Sequence, residues 1–287
     1  MHYHLVLFHL SLCIHFVTSF IPQSSPSKVP LPLYSTKFLL SSFTDGIVLS
    51  PKAELKVKST LNRSPVDGPL RLLYVPTAMY SPRVDSTNTI GKQRQRARAD
   101  GRKRRRVIEG VLGDFAGVEA VTLDFMDGSF KQFEGEGEGP KGGNDLKSTW
   151  RPDVVFVDGG NTFWLWAMLA GWEGGGVEGF KEIIERDNTV YIGVSAGAIV
   201  AGSRVGTALI KGWDDPTVVE DGRDWRWGEV EGMDLGGGRS FFPHSIEEWE
   251  GKVGEWEKEV GGEVGGVVKI GEGDCWLVGE DGNGEYI

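Results

Sequence analysis

Tyr191 to Ala198 reads YIGVSAGA, and inside it Gly193-Val194-Ser195-Ala196-Gly197 satisfies G-x-S-x-G. The apolar run Thr189 to Val194 leads into the motif, and the helix-forming stretch Ala196 to Ser203 leads out of it. A strand that turns at once into a helix is the setting a nucleophile elbow requires. Glycines flank the serine because so sharp a turn leaves no room for Cβ atoms beside it. The helix start then offers the Ala196 N–H to a developing oxyanion. Small residues at a tight turn can also serve packing alone, so the motif needs partners elsewhere in the chain.

One partner lies upstream, where Val154 to Val157 runs into Asp158-Gly159-Gly160-Asn161-Thr162, a second glycine turn that opens a helix. In a parallel sheet both turns leave the same carboxyl edge, where ligands bind. Gly160 is therefore the candidate for a second oxyanion donor. The chain has neither G-x-x-x-x-G-K-[ST] nor a well-placed G-x-G-x-x-G, which argues against a nucleotide site.

Continuous apolar runs recur at Lys37 to Ser41, Leu70 to Val75, Ala120 to Phe125, Asp153 to Val157 and Thr189 to Val194. Runs without alternation are what strands buried on both faces look like. Helical stretches lie between them at Ser86 to Gly113, Thr162 to Ala170, Val177 to Asp187 and Ala196 to Ser203. The alternation predicts an α/β fold of three layers, a mainly parallel sheet flanked by helices, as a single domain over 35–287. Val267 to Ile270 and Trp276 to Val278 read as a final strand pair. Near 134–145, EGEGEGPKGGND has no apolar residue and is expected to be a mobile surface insertion.

With 287 residues and 39% hydrophobic content the chain can bury a sizeable core, which excludes wholesale disorder. Its 42 glycines follow no G-X-Y period, which excludes collagen. Cys13 and Cys275 are the only cysteines, too few for a disulfide framework or a Cys-based zinc site. Residues 1–34 read as a targeting presequence and linker: Leu5 to Phe20 is apolar without Lys or Arg, and a Ser/Pro-rich stretch follows. The segment is too short and too interrupted for a membrane span. Cleavage of this signal peptide implies the secretory pathway or an organelle, and Thr18-Ser19-Phe20 resembles plastid presequences; without cleavage the destination is the cytoplasm.

Charge is uneven. Lys92 to Arg106 (KQRQRARADGRKRRR) holds nine basic residues and one acid, within a chain of 31 basic and 41 acidic residues. Such runs can bind nucleic acid. The plainer reading is a capped surface helix with a basic outer face and Val107, Ile108, Val111 and Leu112 inside, and no aromatic residue interrupts the run to stack on bases.

A serine nucleophile needs a base, and His244, in Phe241-Phe242-Pro243-His244, is the only histidine after residue 15. A carboxylate should orient its ring. Spacing does not choose among Glu272 and Asp274 downstream and Asp214, Asp215, Asp221, Asp224 and Asp234 between serine and histidine.

Taken together, KFLLSS (Lys37 to Ser42), LLYVPTA (Leu72 to Ala78), GGNTF (Gly159 to Phe163), YIGVSAGA and Pro243-His244 resemble the peptidase E family, the alpha-aspartyl dipeptidases and their cyanophycinase relatives. The resemblance implies a class I glutamine-amidotransferase-like fold and a serine-type exopeptidase or dipeptidase that hydrolyses short peptides through an acyl-serine intermediate. It makes Ser195 the nucleophile, His244 the base, Gly160 and Ala196 the oxyanion donors, and Glu272 the acid, with Asp274 in reserve and Asp214 as a further acid near the site. It implies no metal and no organic cofactor. The expected partner is a short peptide, with neither nucleic acid nor a stable membrane partner, and a homodimer is left open. One departure stands out: members are thought to read the substrate's aspartate with an arginine after the histidine, and no arginine follows Arg239 here. Aspartate specificity is thus not implied, and the acidic surroundings point instead to a substrate amino group or basic side chain. Two alternatives remain, an α/β-hydrolase-type esterase and an inactive pseudopeptidase that binds a partner.

Overall fold

The continuous apolar runs form strands of one sheet. In the computed structural model the described residues are 37–40, 49–61, 67–83, 85–113, 117–126, 130–131, 150–185, 189–219, 226–260, 265–279 and 283–287. The expected presequence and the insertion near 134–145 lie outside them. In chain order the elements are β1 (Lys37–Leu40), α1 (Pro51–Leu61), β2 (Leu70–Val75), α2 (Ile90–Leu112), β3 (Val118–Leu123), β4 (Phe130–Lys131), β5 (Val154–Val157), α3 (Thr162–Ala170) and α4 (Gly176–Glu185). There follow β6 (Val190–Val194), α5 (Ala196–Ala201), β7 (Ser240–Pro243), α6 (Glu250–Val260), β8 (Val267–Ile270), β9 (Cys275–Val278) and β10 (Gly284–Tyr286).

The strand order is β10-β9-β1-β6-β5-β2-β3-β4. The five central strands, β1, β6, β5, β2 and β3, run parallel, while β9 and β4 join the flanks antiparallel. Alternate residues of one strand enter different cores. Leu73, Val75, Val155 and Val157 pack with side chains of α3, α4 and α5; Leu72, Tyr74, Val154 and Phe156 pack with Ala53 and Val57 of α1 and Ile108 and Leu112 of α2. Both faces are therefore covered, and the fold is a three-layer α/β arrangement. Each such fully buried large aliphatic or aromatic side chain contributes about 1.5–3 kcal/mol of transfer free energy, which is why these strands carry no polar alternation.

Two expectations need correction. β8 and β9 do not pair with each other: β8 runs parallel to β7 in a separate two-stranded sheet, and β9 lies antiparallel on β1. The turn between them carries the chain from one sheet to the other instead of folding it back. The inner face of α2 also differs, because it passes through Gly101, Arg105, Ile108 and Leu112, while Val107 is 44% exposed. Helical spacing puts Arg105 on the inner line and Val107 off it.

Candidate active site

The first wall of the site follows from strand adjacency. β5 and β6 are neighbours with Val157 opposite Gly193, so both glycine turns leave the same sheet edge side by side. Gly160 has φ 141°, and a Cβ there would lie 2.4 Å from the Ala78 backbone, which reserves the position for glycine. Ser195 is held at φ 49° and ψ −107°, a left-handed conformation that costs a non-glycine residue about 1–3 kcal/mol. What holds it is close packing behind the turn. A Cβ on Gly197 would fall 2.3 Å from the Val157 carbonyl oxygen, and the buried Tyr191 hydroxyl donates to the Gly197 carbonyl at 2.7 Å. Among the described residues neither the Gly160 N–H nor the Ala196 N–H has an acceptor.

The second wall comes from the small sheet. Pro243 lies opposite Ile270 in the parallel β7–β8 pair, and the Ser245 N–H donates to the Ile270 carbonyl at 3.0 Å. Parallel pairing brings the residues after both strands to one edge, which places His244 beside Glu272. His244 Nε2 is 3.0 Å from Ser195 Oγ, and His244 Nδ1 is 2.5 Å from Glu272 Oε1. The structure thus brings together Ser195, His244 and Glu272. It does not bring Asp274 to the histidine: its N–H closes a turn on the Gly271 carbonyl, and its carboxylate, after burial, helps push the Tyr286 phenol upward.

Asp214 lines the same cleft, and its carboxylate accepts the Thr162 N–H at 2.9 Å. Burial pushes this carboxyl above its usual range, while Thr162 and the His244 charge pull it back. The remaining spacing candidates do other work or lie elsewhere. Asp215 accepts the Thr217 N–H at 2.8 Å, Asp234 accepts the Gly238 N–H at 2.6 Å, and Asp221 and Asp224 fall outside the described residues.

Two sets of contacts go beyond what the sequence implies. Lys211 donates to the carbonyls of both Pro243 and His244, and its ammonium sits 4.4 Å from the Trp213 ring centre and 4.6 Å from that of Phe242. It fastens the backbone of His244, which adopts a φ of 55°. Burial pushes Lys211 down to about 8, with Glu272 opposing. The contact joins residues far apart in sequence, so no local pattern announces it.

The second feature is the basic helix, which is not merely a solvated face. Arg104 reaches Asp158 at 2.8 Å, and that fully buried carboxylate also accepts from the Tyr74 hydroxyl at 2.7 Å and the Gly159 N–H at 2.8 Å. Burial pushes Asp158 upward and Arg104 is the largest opposing influence. Arg98 pairs with Asp124 at 3.2 Å and Arg105 with Glu109 at 2.9 Å. Gln93, Arg96, Ala97, Asp100 and Arg104 line a cleft of about 1060 Å³ together with Ser195 and His244. Their spacing, three or four residues apart, is one face of a helix, so the row was legible as a stripe although its destination was not. Among the described residues no group of three or more His, Cys, Asp or Glu side chains is placed to hold a metal ion.

Comparison with known proteins says what the chain is similar to. Residues 143–220, which carry both glycine turns, match Peptidase family S51. The fold is shared with the structure named "Putative Peptidase E Protein" from Listeria monocytogenes EGD-e, at 18% identity and a TM-score of 0.50, covering 88% of this chain and 98% of that one. A peptidase from an acI-B1 Actinobacterium aligns at 17% identity and a TM-score of 0.44, over 85% of this chain and 82% of that one. No curated protein matches. The family match supports a peptidase of the serine type, and the neighbour from Listeria shows a shared fold.

Proposed function

We propose that this chain is a dipeptidase or exopeptidase that cleaves short peptides through an acyl-serine intermediate, with Ser195, His244 and Glu272 as its triad. The observation that carries the reading is the continuous run of hydrogen-bonding distances from Ser195 Oγ through both ring nitrogens of His244 to Glu272, 3.0 and 2.5 Å. In this reading His244 Nε2 takes the Ser195 proton as Oγ attacks the scissile carbonyl carbon. Glu272 accepts the Nδ1–H, which fixes the tautomer and stabilises the imidazolium that forms. The Gly160 and Ala196 N–H groups, both without an acceptor among the described residues, receive the oxyanion. His244 then hands the proton to the leaving amine, and water repeats the sequence to free the acyl group. An esterase of the α/β-hydrolase type would insert further strand–helix units between serine and histidine. Between Ser195 and His244 the described residues hold only α5, short 3₁₀ turns and β7.

The test is hydrolysis of a mixed dipeptide library by the full chain, read by mass spectrometry beside Ser195→Ala and His244→Ala. Each substitution is expected to remove turnover by on the order of 10⁴-fold or more. Undiminished cleavage by either variant, in protein with parental melting behaviour, would overturn the assignment of roles.

A further inference from the structure

The turn that carries the Gly160 N–H is held along its whole length. The Asp158 N–H donates to the Val75 carbonyl at 3.0 Å and the Gly159 N–H to the Asp158 carboxylate at 2.8 Å. Beyond Gly160, the Asn161 N–H donates to the Ala78 carbonyl at 3.1 Å and the Thr162 N–H to the Asp214 carboxylate at 2.9 Å. Among the described residues the Gly160 N–H alone of this run has no acceptor. The turn also leans on the serine, because a Cβ on Gly159 would fall 3.1 Å from Ser195 Cβ. A shift of Gly159 is therefore felt at Gly160 and at Ser195. One of the four holds differs from the rest, since its acceptor is a charge with no exposed surface. Asp158 Oδ1 accepts from Arg104 and from the Gly159 N–H, and Oδ2 accepts from the Tyr74 hydroxyl.

We propose that Arg104 is a positioning residue for the oxyanion turn: reaching in from α2, its ion pair with Asp158 fixes the Gly159 N–H and leaves the Gly160 N–H free for the oxyanion. The inference rests on the proposed peptidase function, and it gives the basic helix a part in catalysis without a contact to substrate. A ring of three donors suits a carboxylate, whereas a protonated carboxyl carries a donor of its own and accepts more weakly. Burial drives Asp158 toward that neutral form, and Arg104 is the largest influence against it. Among the described residues the titratable groups acting on Asp158 are Arg104 of α2 and Tyr74 of β2. The Tyr74 phenol is itself pushed up, by burial first and then by the Asp158 charge, with Tyr80 adding a little, so it keeps its proton and remains a donor.

Arg104→Gln in the full chain is read in three ways. Hydrogen exchange of the Gly159 amide is expected to quicken on the order of 10-fold while β5 and β6 keep parental exchange. On a dipeptide that the parent cleaves, kcat is expected to fall about 10-fold or more with KM within about threefold, since a loosened oxyanion donor costs less than a deleted one. The acid limb of kcat is expected to move to higher pH, because without Arg104 burial raises Asp158 further and the protonated form loosens the turn. Adding Asp158→Asn removes the titrating group, so the limb returns to the parental pH while the plateau stays about 10-fold low. This double variant leaves no buried charge there and carries the test where the single one does not fold. Arg104→Lys should recover part of kcat, and Arg102→Ala, exposed on α2, should change none of the three readings. Parental kcat in either Arg104→Gln protein overturns the role. So does a loss confined to KM, which makes Arg104 a substrate contact, and so does a fall in kcat with an unmoved acid limb in the single variant, which makes the loss one of packing. Faster Gly159 exchange where the parent cleaves no dipeptide keeps the hold and removes the peptidase reading; cleavage that Arg104→Gln leaves untouched does the reverse.

Discussion

Ser195 and Gly160 stand on the edge of the large sheet, where backbone meets backbone at van der Waals contact, whereas His244 and Glu272 stand on a two-stranded sheet with side chains 20% and 49% exposed. The serine is positioned by what cannot fit around it. The histidine is positioned by what it bonds to. The first kind of construction fails as a unit, because a displaced turn disturbs the core beneath it; the second can lose one bond and keep its fold.

The contrast is sharpest at Gly197. Gly197→Ala would drive a Cβ to 2.3 Å from the Val157 carbonyl oxygen, a backbone atom that cannot rotate away. A cost of about 3 kcal/mol or more is expected, at the upper end of overpacking penalties, with a fall in melting temperature of about 10 °C by calorimetry. An unchanged melting temperature would show that the elbow is softer than the packing implies. Glu272→Gln should act the other way, leaving the melting temperature within about 1 °C while kcat falls roughly 100-fold. That loss is smaller than the roughly 10⁴-fold of a buried triad acid, because water can reach a half-exposed partner. Steady-state kinetics on a cleaved dipeptide check it, and a loss below threefold would take Glu272 out of the triad.

The smallest effect concerns Lys211. Burial lowers its folded-state pKa to about 8 from 10.5, so between those values the unfolded chain binds more protons than the folded one. Stability from this group therefore rises with pH across the window from about 8 to 10.5 and is constant below it. Lys211→Met should flatten that part of a plot of melting temperature against pH, and an unchanged slope would assign the rise to other groups.

Legibility in the sequence follows the same division. β2, β5 and β6 announce themselves because both faces are buried and their positions are apolar, Arg71 of β2 apart, and the two glycine turns follow directly from where those runs stop. α6 was visible in principle, since Trp249, Val253 and Trp256 keep helical spacing on one side, but its charged majority masks the stripe. β7 was hidden because SFFP is too short to show a period. The choice of Glu272 over Asp274 depended on the parallel pairing of β7 with β8, a contact between distant segments that spacing does not encode. The same holds for α2: its face toward the cleft has a period, but a period does not say what lies opposite.

Glu272 sits in the turn that carries the chain from the small sheet back to the large one, where β9 docks on β1. During synthesis the serine turn therefore emerges and can pack long before Glu272 exists. In the proposed mechanism a growing chain holds an unactivated hydroxyl until its last strands close against its first. In that reading the order of the sequence postpones activation of Ser195 until the fold is nearly complete.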